Sequence, residues 1–149
     1  MSTHQQLLYH IVFSTKNRQR WLADGFREDV FAYAAGVVEN LEGTALIIGG
    51  FYDHCHMLVR IPAKVAVSDF VGRVKANTSR HVNDTSDTLR KFGWQDGFGA
   101  FTVSPSQKDK VYKYIANQKE HHETQSFEDE YVMLLDRHEV EYDARYVFD

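Results

Sequence analysis

The sequence predicts an α+β protein with the ferredoxin-like order β-α-β-β-α-β, extended by additional C-terminal helices. Short segments rich in β-branched and aromatic residues predict four strands. Two amphipathic segments at helical spacing fall after the first and third of these strands. The 149 residues contain no repeat or linker-like stretch, which predicts a single domain over residues 1–149.

The N-terminal part of the chain begins with a strand and a helix. "QQLLYHIVFST" (5–15) has the β-branched and aromatic composition of a strand. Residues 24–42 then place apolar side chains at helical spacing. Asp24 is the expected N-cap and Gly43 the expected stop, so the sequence predicts the first helix between them.

Two further strands and a second helix follow. "TALIIGGFYD" (44–53) and "HCHMLVRIP" (54–62) predict neighbouring strands, the second ended by Pro62. Residues 67–83 repeat apolar side chains at helical spacing, with Ser68 as the expected cap. This pattern predicts the second helix that the ferredoxin-like order requires.

The last part of the chain supplies the fourth strand and the additional helices. "GAFTVS" (99–104) alternates as a short strand does. Ser104 before Pro105 is a strong signal for a helix start and predicts one helix over about 104–123. A final helix is predicted over about 127–140.

Charge is distributed unevenly along the chain. The net charge is −4, but residues 1–119 carry 15 Lys and Arg against 11 Asp and Glu, whereas residues 120–149 carry 2 against 10. The main body is therefore mildly basic, and binding to phosphates is compatible with it, although ordinary solvation explains such charge equally well.

The sequence also bounds the location and the chemistry. One cysteine, Cys55, excludes an intrachain disulfide and a multi-cysteine zinc site. The N-terminus shows no signal-peptide pattern, and no apolar run approaches the ~20 residues of a membrane span. We therefore expect a soluble, cytoplasmic protein without a membrane partner.

His54 and His56 lie two residues apart in the third predicted strand. Because side chains alternate along a strand, both imidazoles face the same side, about 6–7 Å apart at their Cα atoms. Cys55, Met57 and Val59 face the other side, which is apolar and is expected to meet the core. Two such imidazoles can share a metal ion, but two histidines on an exposed sheet face would give the same pattern.

The predicted helix over 104–123 offers partners for this pair. Tyr114 and Gln118 are four residues apart and share a helix face, and His122 continues the same line as a possible neighbour of the site. Gln118 could give an amide oxygen to a metal, and the Tyr114 phenol could attack a phosphate. The alternatives are a tyrosine ring that only packs on the sheet, or Tyr112 as the nucleophile, although its i+4 neighbour is Ala116.

Several stretches together resemble the insertion-sequence-200-like transposases, the single-tyrosine group of the HUH (His-hydrophobe-His) nucleases. They follow in family order over almost the whole chain: "YHIVFSTKNR", "DHCHMLV", "VGRVKANTSRHVN", "FGWQDGFGAFTVSPS" and "VYKYIANQKEHH". One departure is Cys55 in the position between the histidines, where a bulkier apolar residue is common; a buried cysteine behaves as a small hydrophobe.

The resemblance implies a mechanism. His54, His56 and Gln118 would hold a divalent cation, Mg²⁺ or Mn²⁺. Tyr114 would attack a scissile phosphate in single-stranded DNA with hairpin ends, leaving a 5′-phosphotyrosine link and a free 3′-hydroxyl that later permits rejoining. Similar proteins work as homodimers whose active sites combine the histidines of one subunit with the tyrosine helix of the other.

Basic side chains are candidates for DNA contacts, since phosphate binding requires them. The candidates are Lys16, Arg18, Arg20, Arg73, Lys75, Arg80, Lys110 and Lys113. Two alternatives to a transposase stay open: a domesticated, repeat-associated tyrosine nuclease, and a non-catalytic nucleic-acid-binding module that has no need of Tyr114.

Overall fold

A four-stranded antiparallel sheet organises the chain. The computed structural model describes residues 2–86 and 89–149. The strands are β1 (Leu8–Ser14), β2 (Thr44–Phe51), β3 (His54–Arg60) and β4 (Gly99–Thr102), in the spatial order β2-β3-β1-β4. The order and the antiparallel pairing confirm the predicted ferredoxin-like sheet.

Five α-helices accompany the sheet in the described residues. They are α1 (Phe26–Asn40), α2 (Val67–Thr85), α3 (Lys108–Ala116), α4 (Gln118–His121) and α5 (Phe127–Arg137). Within residues 2–86 and 89–149, none of the helices is both long and apolar enough to pass through a bilayer.

The two faces of the sheet are covered by different helices. Ile11 and Phe13 of β1, with Cys55, Met57 and Val59 of β3, belong to an apolar core shared with α1 and α2. The free thiol of Cys55 is fully buried in this layer, and burial raises its pKa. The expected alternation along β3 is therefore confirmed.

The opposite face carries the C-terminal helices. Leu8 and Leu58 pack with Ile115 of α3, and Val12 packs with Phe127 of α5. His54 and His56 point into this second layer, between the two apolar clusters. The sheet is consequently buried on both sides, and the histidines lie at an interface between strand and helices rather than on an open surface.

Helix starts and stops differ from the sequence signals in detail. Gly25 occupies the N-cap of α1 in place of Asp24, whose carboxylate instead accepts a hydrogen bond from Arg27. At the C-terminal end, Glu42 takes the left-handed conformation (φ 66°) and Gly43 follows it. Ala66, not Ser68, is the N-cap of α2.

The predicted helix over 104–123 is divided. Pro105–Gln107 forms a 3₁₀ turn before α3 begins, and Asn117 (φ −98°, ψ 18°) interrupts the helix between α3 and α4. Asparagine favours such breaks because its side chain competes for backbone hydrogen bonds. Tyr114 and Gln118 therefore lie on opposite sides of the interruption. The final helix ends at Arg137, shorter than the predicted 127–140.

Gly49 sets the distance between α3 and the sheet. A Cβ atom at this position of β2 would lie 2.8 Å from the backbone oxygen of Ile115 and 2.9 Å from its Cγ2. Only a residue without a side chain lets α3 approach this closely. A Cβ atom added at Gly36, which is on α1, would instead have no other atom within 4 Å.

Gly49→Ala is expected to destabilise the protein by about 1–3 kcal/mol, because the added methyl group overpacks the contact with α3. Gly36→Ala should stabilise it by up to about 1 kcal/mol through helix propensity. Urea unfolding of both variants measures the difference. An unchanged midpoint in Gly49→Ala would contradict the close approach of α3.

Candidate active site

His54 and His56 are fully buried, each with 0% of its surface exposed. They lie on β3, a central strand of the sheet, where His54 is paired with Ser14 and His56 with Val12 of the neighbouring strand β1. The alternative of two histidines on an exposed sheet face is therefore wrong. The two rings meet edge to face, with centroids 5.0 Å apart.

The Nδ1 atom of each ring contacts a neighbouring polar side chain. Nδ1 of His54 lies 2.7 Å from Oδ1 of Asp53, and Nδ1 of His56 lies 2.8 Å from Nε2 of His10. His10 is itself buried in β1, and burial, followed by the proximity of His56, holds its pKa well below the usual value. These contacts fix the ring orientations and direct both Nε2 atoms towards the same point.

Gln118 and Tyr114 reach this point from the helices. Oε1 of Gln118 lies 2.8 Å from Nε2 of His54, and the Tyr114 ring stands edge-on to the His56 ring at 5.8 Å. The Tyr114 hydroxyl donates to Oε2 of Glu130. Tyr112 is instead 44% exposed. The structure thus brings together Tyr114, Gln118 and both histidines of a single chain.

Glu130 is the central residue that the sequence reasoning missed. Its side chain is fully buried, and its Oε1 lies 3.0 Å from Nε2 of His56 and 3.5 Å from Nε2 of His54. Its Oε2 accepts from Nε2 of Gln118 at 3.0 Å as well as from Tyr114. The available signal was position: Glu130 follows Phe127 by three residues on the buried side of α5.

His122 also belongs to the cluster, and His121 lies at its margin. The His122 side chain is 2% exposed, with Nε2 at 3.0 Å from Oε1 of Glu130. His121 is 33% exposed in its side chain, with Nε2 at 3.6 Å from Oε2 of Glu130. The position of His122 agrees with the line of Tyr114, Gln118 and His122 expected from the spacing.

Charge in the cluster is concentrated on Glu130. Burial alone would raise the pKa of this carboxyl group, but the surrounding histidines, His56 and His122 foremost, hold it far below its usual range. Burial lowers the pKa of His56 against the opposing effect of Glu130. For His122 the carboxylate outweighs burial and raises the pKa. Burial, and then Glu130, raises the pKa of Tyr114, so its phenol is protonated in this arrangement.

These side chains could hold a metal ion. One ligand atom from each of His54, His56, His122 and Glu130 lies within 4.8 Å of the others. The amide oxygen of Gln118 borders the same group. A donor set that mixes imidazole nitrogen with carboxylate and amide oxygen fits Mn²⁺ well, and fits Mg²⁺ less well because Mg²⁺ prefers oxygen ligands.

The predicted DNA-contacting residues are spread over several surfaces. Arg18 lies 3.8 Å from Glu128, and the guanidinium of Arg20 stacks on Tyr52 at 4.3 Å. Lys75 donates to the carbonyl oxygens of Asp96 and Gly97, and burial lowers its pKa to about 8. Those that are exposed are Lys16, Arg20, Arg73, Arg80, Lys110 and Lys113. Contact with DNA stays a prediction for all of these residues.

Two cavities border these surfaces. One of about 370 Å³ leads to Tyr114 and is also lined by Lys110 and Arg137. A larger one, about 740 Å³, lies near α2 and includes Lys16 and Lys75 among its lining residues. The smaller cavity therefore opens beside the Tyr114 phenol and carries two basic side chains.

Sequence comparisons match the chain to transposases, two of them from bacteria. A family model described as "Transposase IS200 like" matches residues 3–118. The transposase for insertion sequence element IS200 of Salmonella typhimurium is 31% identical over 118 residues, which cover 75% of this chain and 76% of that protein. The ISDra2 transposase TnpA of Deinococcus radiodurans is 28% identical over 122 residues, with 76% and 84% covered.

Solved structures agree with the fold. A protein from Deinococcus radiodurans that is described as a candidate transposase superposes with a TM-score of 0.63 at 20% identity, covering 79% of this chain and 95% of its own. A REP-associated tyrosine transposase bound to a REP hairpin gives a TM-score of 0.61 at 15% identity, with 82% and 74% covered.

Proposed function

The chain belongs to the IS200-like transposase family, and on that basis we propose that it cleaves and rejoins single-stranded DNA through a tyrosine, with the help of a divalent cation. The observation that carries the proposal is the buried group that joins Tyr114 to His54, His56 and Gln118. A non-catalytic nucleic-acid-binding module would not need a phenol placed against two buried imidazoles.

Tyr114 is the proposed nucleophile. Its phenol oxygen bonds to the phosphorus of the scissile phosphodiester, and the bond between that phosphorus and the 3′-oxygen breaks. The phenol proton is lost to solvent as this bond forms, and the carboxylate of Glu130, which accepts the phenol hydrogen bond in the structure, holds the oxygen in place. The released 3′-oxygen takes a proton from solvent, so the products are a 5′-phosphotyrosine and a 3′-hydroxyl.

The surroundings of Tyr114 oppose its ionisation, because burial and the Glu130 carboxylate both raise its pKa. Loss of the phenol proton therefore requires added positive charge near the oxygen. A divalent cation held by His54, His56 and Gln118 would supply that charge and would polarise the phosphate. Asp53 and His10 support the site by fixing the orientations of the two imidazoles.

The proposed substrate is single-stranded DNA with hairpin ends. The basic cavity beside Tyr114, with Lys110 and Arg137, suits a phosphodiester backbone. The structural neighbour with a bound REP hairpin supports a hairpin as the recognised shape. A domesticated, repeat-associated nuclease would use the same chemistry, and the DNA flanking the gene would distinguish it from a mobile transposase.

Tyr114→Phe is expected to abolish covalent protein–DNA adducts, because the variant lacks the attacking oxygen, while binding to hairpin DNA is retained. Tyr112→Phe, an exposed tyrosine on the same helix, should form adducts as the wild type does. Labelled single-stranded element ends and a denaturing gel provide the measurement. Loss of adducts in Tyr112→Phe alone would identify the other tyrosine as the nucleophile.

His54→Ala is expected to lower Mn²⁺-dependent cleavage by about 100-fold or more, since even residues that only orient metal ligands contribute about 10–100-fold. Cleavage is compared with and without Mn²⁺ on the same labelled strands. His4→Ala, an exposed histidine near the N-terminus, is the control. Full metal-dependent activity of a folded His54→Ala variant would dismiss the proposed metal site.

A mixture of His54→Ala and Tyr114→Phe subunits tests how the active site is assembled. The homodimer with shared sites stays a prediction, whereas in this structure the Tyr114 ring stands edge-on to His56 of its own chain. If the site forms within one chain, the mixture should be as inactive as either variant alone. Recovery of adducts in the mixture would show that the two subunits exchange their tyrosine helices.

A further inference from the structure

We propose that Glu130 and His122 are additional ligands of the divalent cation, so that the C-terminal segment completes the metal site that His54, His56 and Gln118 begin. This inference rests on the proposed function and deepens it. Both residues lie beyond residue 118, where the match to the family model ends. The proposed ligands are therefore supplied by a part of this chain that the family match does not describe.

Lone-pair directions support the proposal. Nδ1 of His122 lies 2.7 Å from the carbonyl oxygen of Gln125, which can only accept, so this nitrogen carries the proton. In the neutral ring, Nε2 then presents a lone pair to the cluster. This buried Nε2 lies 3.0 Å from Oε1 of Glu130 without forming a hydrogen bond to it. A buried imidazole whose Nδ1–H is fixed by a carbonyl oxygen and whose Nε2 faces a carboxylate oxygen has the arrangement of a metal-ligating histidine beside a second ligand.

His54 repeats this arrangement. Asp53 holds its Nδ1, and its Nε2 faces the amide oxygen of Gln118 at 2.8 Å. When Nδ1 carries the proton, a nitrogen lone pair and an oxygen lone pair face each other in a dry site. A cation coordinated by both atoms would remove the repulsion between these two lone pairs.

The spacing of the atoms also fits an ion. Adjacent ligands of an octahedral ion with bonds of about 2.1 Å lie about 3 Å apart. The separations from Oε1 of Glu130 are 3.0 Å to Nε2 of His56, 3.0 Å to Nε2 of His122 and 3.5 Å to Nε2 of His54. These values match those of neighbouring ligands around one centre, and 3.0 Å is also the length of the hydrogen bond between His56 and Glu130.

Charge balance favours the carboxylate as a ligand. Two neutral imidazoles and an amide bring no negative charge, so a dication among them would be buried without compensation. Glu130 places one ionised carboxylate at the centre, where no part of its side chain is exposed. Its Oε1 faces the imidazoles, while its Oε2 faces Tyr114 and Gln118. A single side chain would thus link the cation to the nucleophile.

The competing explanation is that protons on the histidines balance Glu130 and that the carboxylate only occupies the place of a substrate phosphate. The two explanations predict different metal affinities. If Glu130 is a ligand, its removal weakens metal binding in the absence of DNA. If it is a placeholder, its removal leaves the affinity unchanged or increases it.

The experiment is a titration of the DNA-free protein with Mn²⁺. Calorimetry and electron paramagnetic resonance monitor the titration and give the dissociation constant. Glu130→Gln keeps the shape and removes the charge, and its dissociation constant should rise about 100-fold. His122→Ala should raise the constant about tenfold or more. The controls are Asp129→Asn, an exposed carboxylate on the same helix, and His4→Ala, an exposed histidine near the N-terminus. Both should stay within about twofold of the wild type.

Pulsed resonance on the wild-type protein gives a readout that needs no variant. Three imidazole nitrogens coupled to Mn²⁺ are expected, and two would overturn the role of His122. Unchanged affinity in folded Glu130→Gln would overturn the role of the carboxylate. Failure of the proposed function can be distinguished from failure of this inference. If only the proposed function is wrong, the wild type forms no adducts, but the Mn²⁺ affinities of the variants still differ as predicted here.

Discussion

The burial of one ionised carboxylate governs the C-terminal half of the molecule. Glu130 has no exposed surface, and a buried charge is tolerated only when it is paired and hydrogen-bonded. Its partners come from β3, α3, α4 and the segment after α4, through His56, Tyr114, Gln118 and His122. The positions of these elements are therefore coupled, because movement of any one removes a partner from the same charge.

The two sides of the sheet are held by different forces. On the side of α1 and α2, the contacts of β3 are apolar, from Cys55, Met57 and Val59. On the other side, apolar clusters around Ile115 and Phe127 flank a polar centre. Apolar packing is tolerant of small shifts, whereas a charged hydrogen-bonded centre has strict geometry. The layer that holds the candidate active site is accordingly the one whose geometry is most narrowly defined.

The sequence was sufficient for the sheet and for half of the site. Alternation along β3 placed His54 and His56 on one side, and the i+4 relation placed Tyr114 near Gln118. The spacing from Phe127 puts Glu130 on the buried side of α5, but nothing in the sequence links it to His56, which is 74 residues away, or separates it from the solvated carboxylates of the same acidic region. Nor could helical spacing reveal the interruption at Asn117, because asparagine is only a weak helix breaker and also occurs within helices. Within that acidic region, Glu128 and Asp129 lie in the first turn of α5, where the helix dipole favours negative charge. Glu130 lies in the same turn and differs from them only in facing the buried side of the helix.

Cys55 lies between the two histidines but faces the opposite layer, where its thiol is fully buried. A thiol-modifying reagent can therefore reach it only when the α1 and α2 side of the sheet opens. Detachment of α3 and α5 would expose the imidazoles and leave the thiol protected. The rate of Cys55 alkylation, compared with amide hydrogen exchange in α5, would thus tell whether the two layers separate from the sheet together or independently.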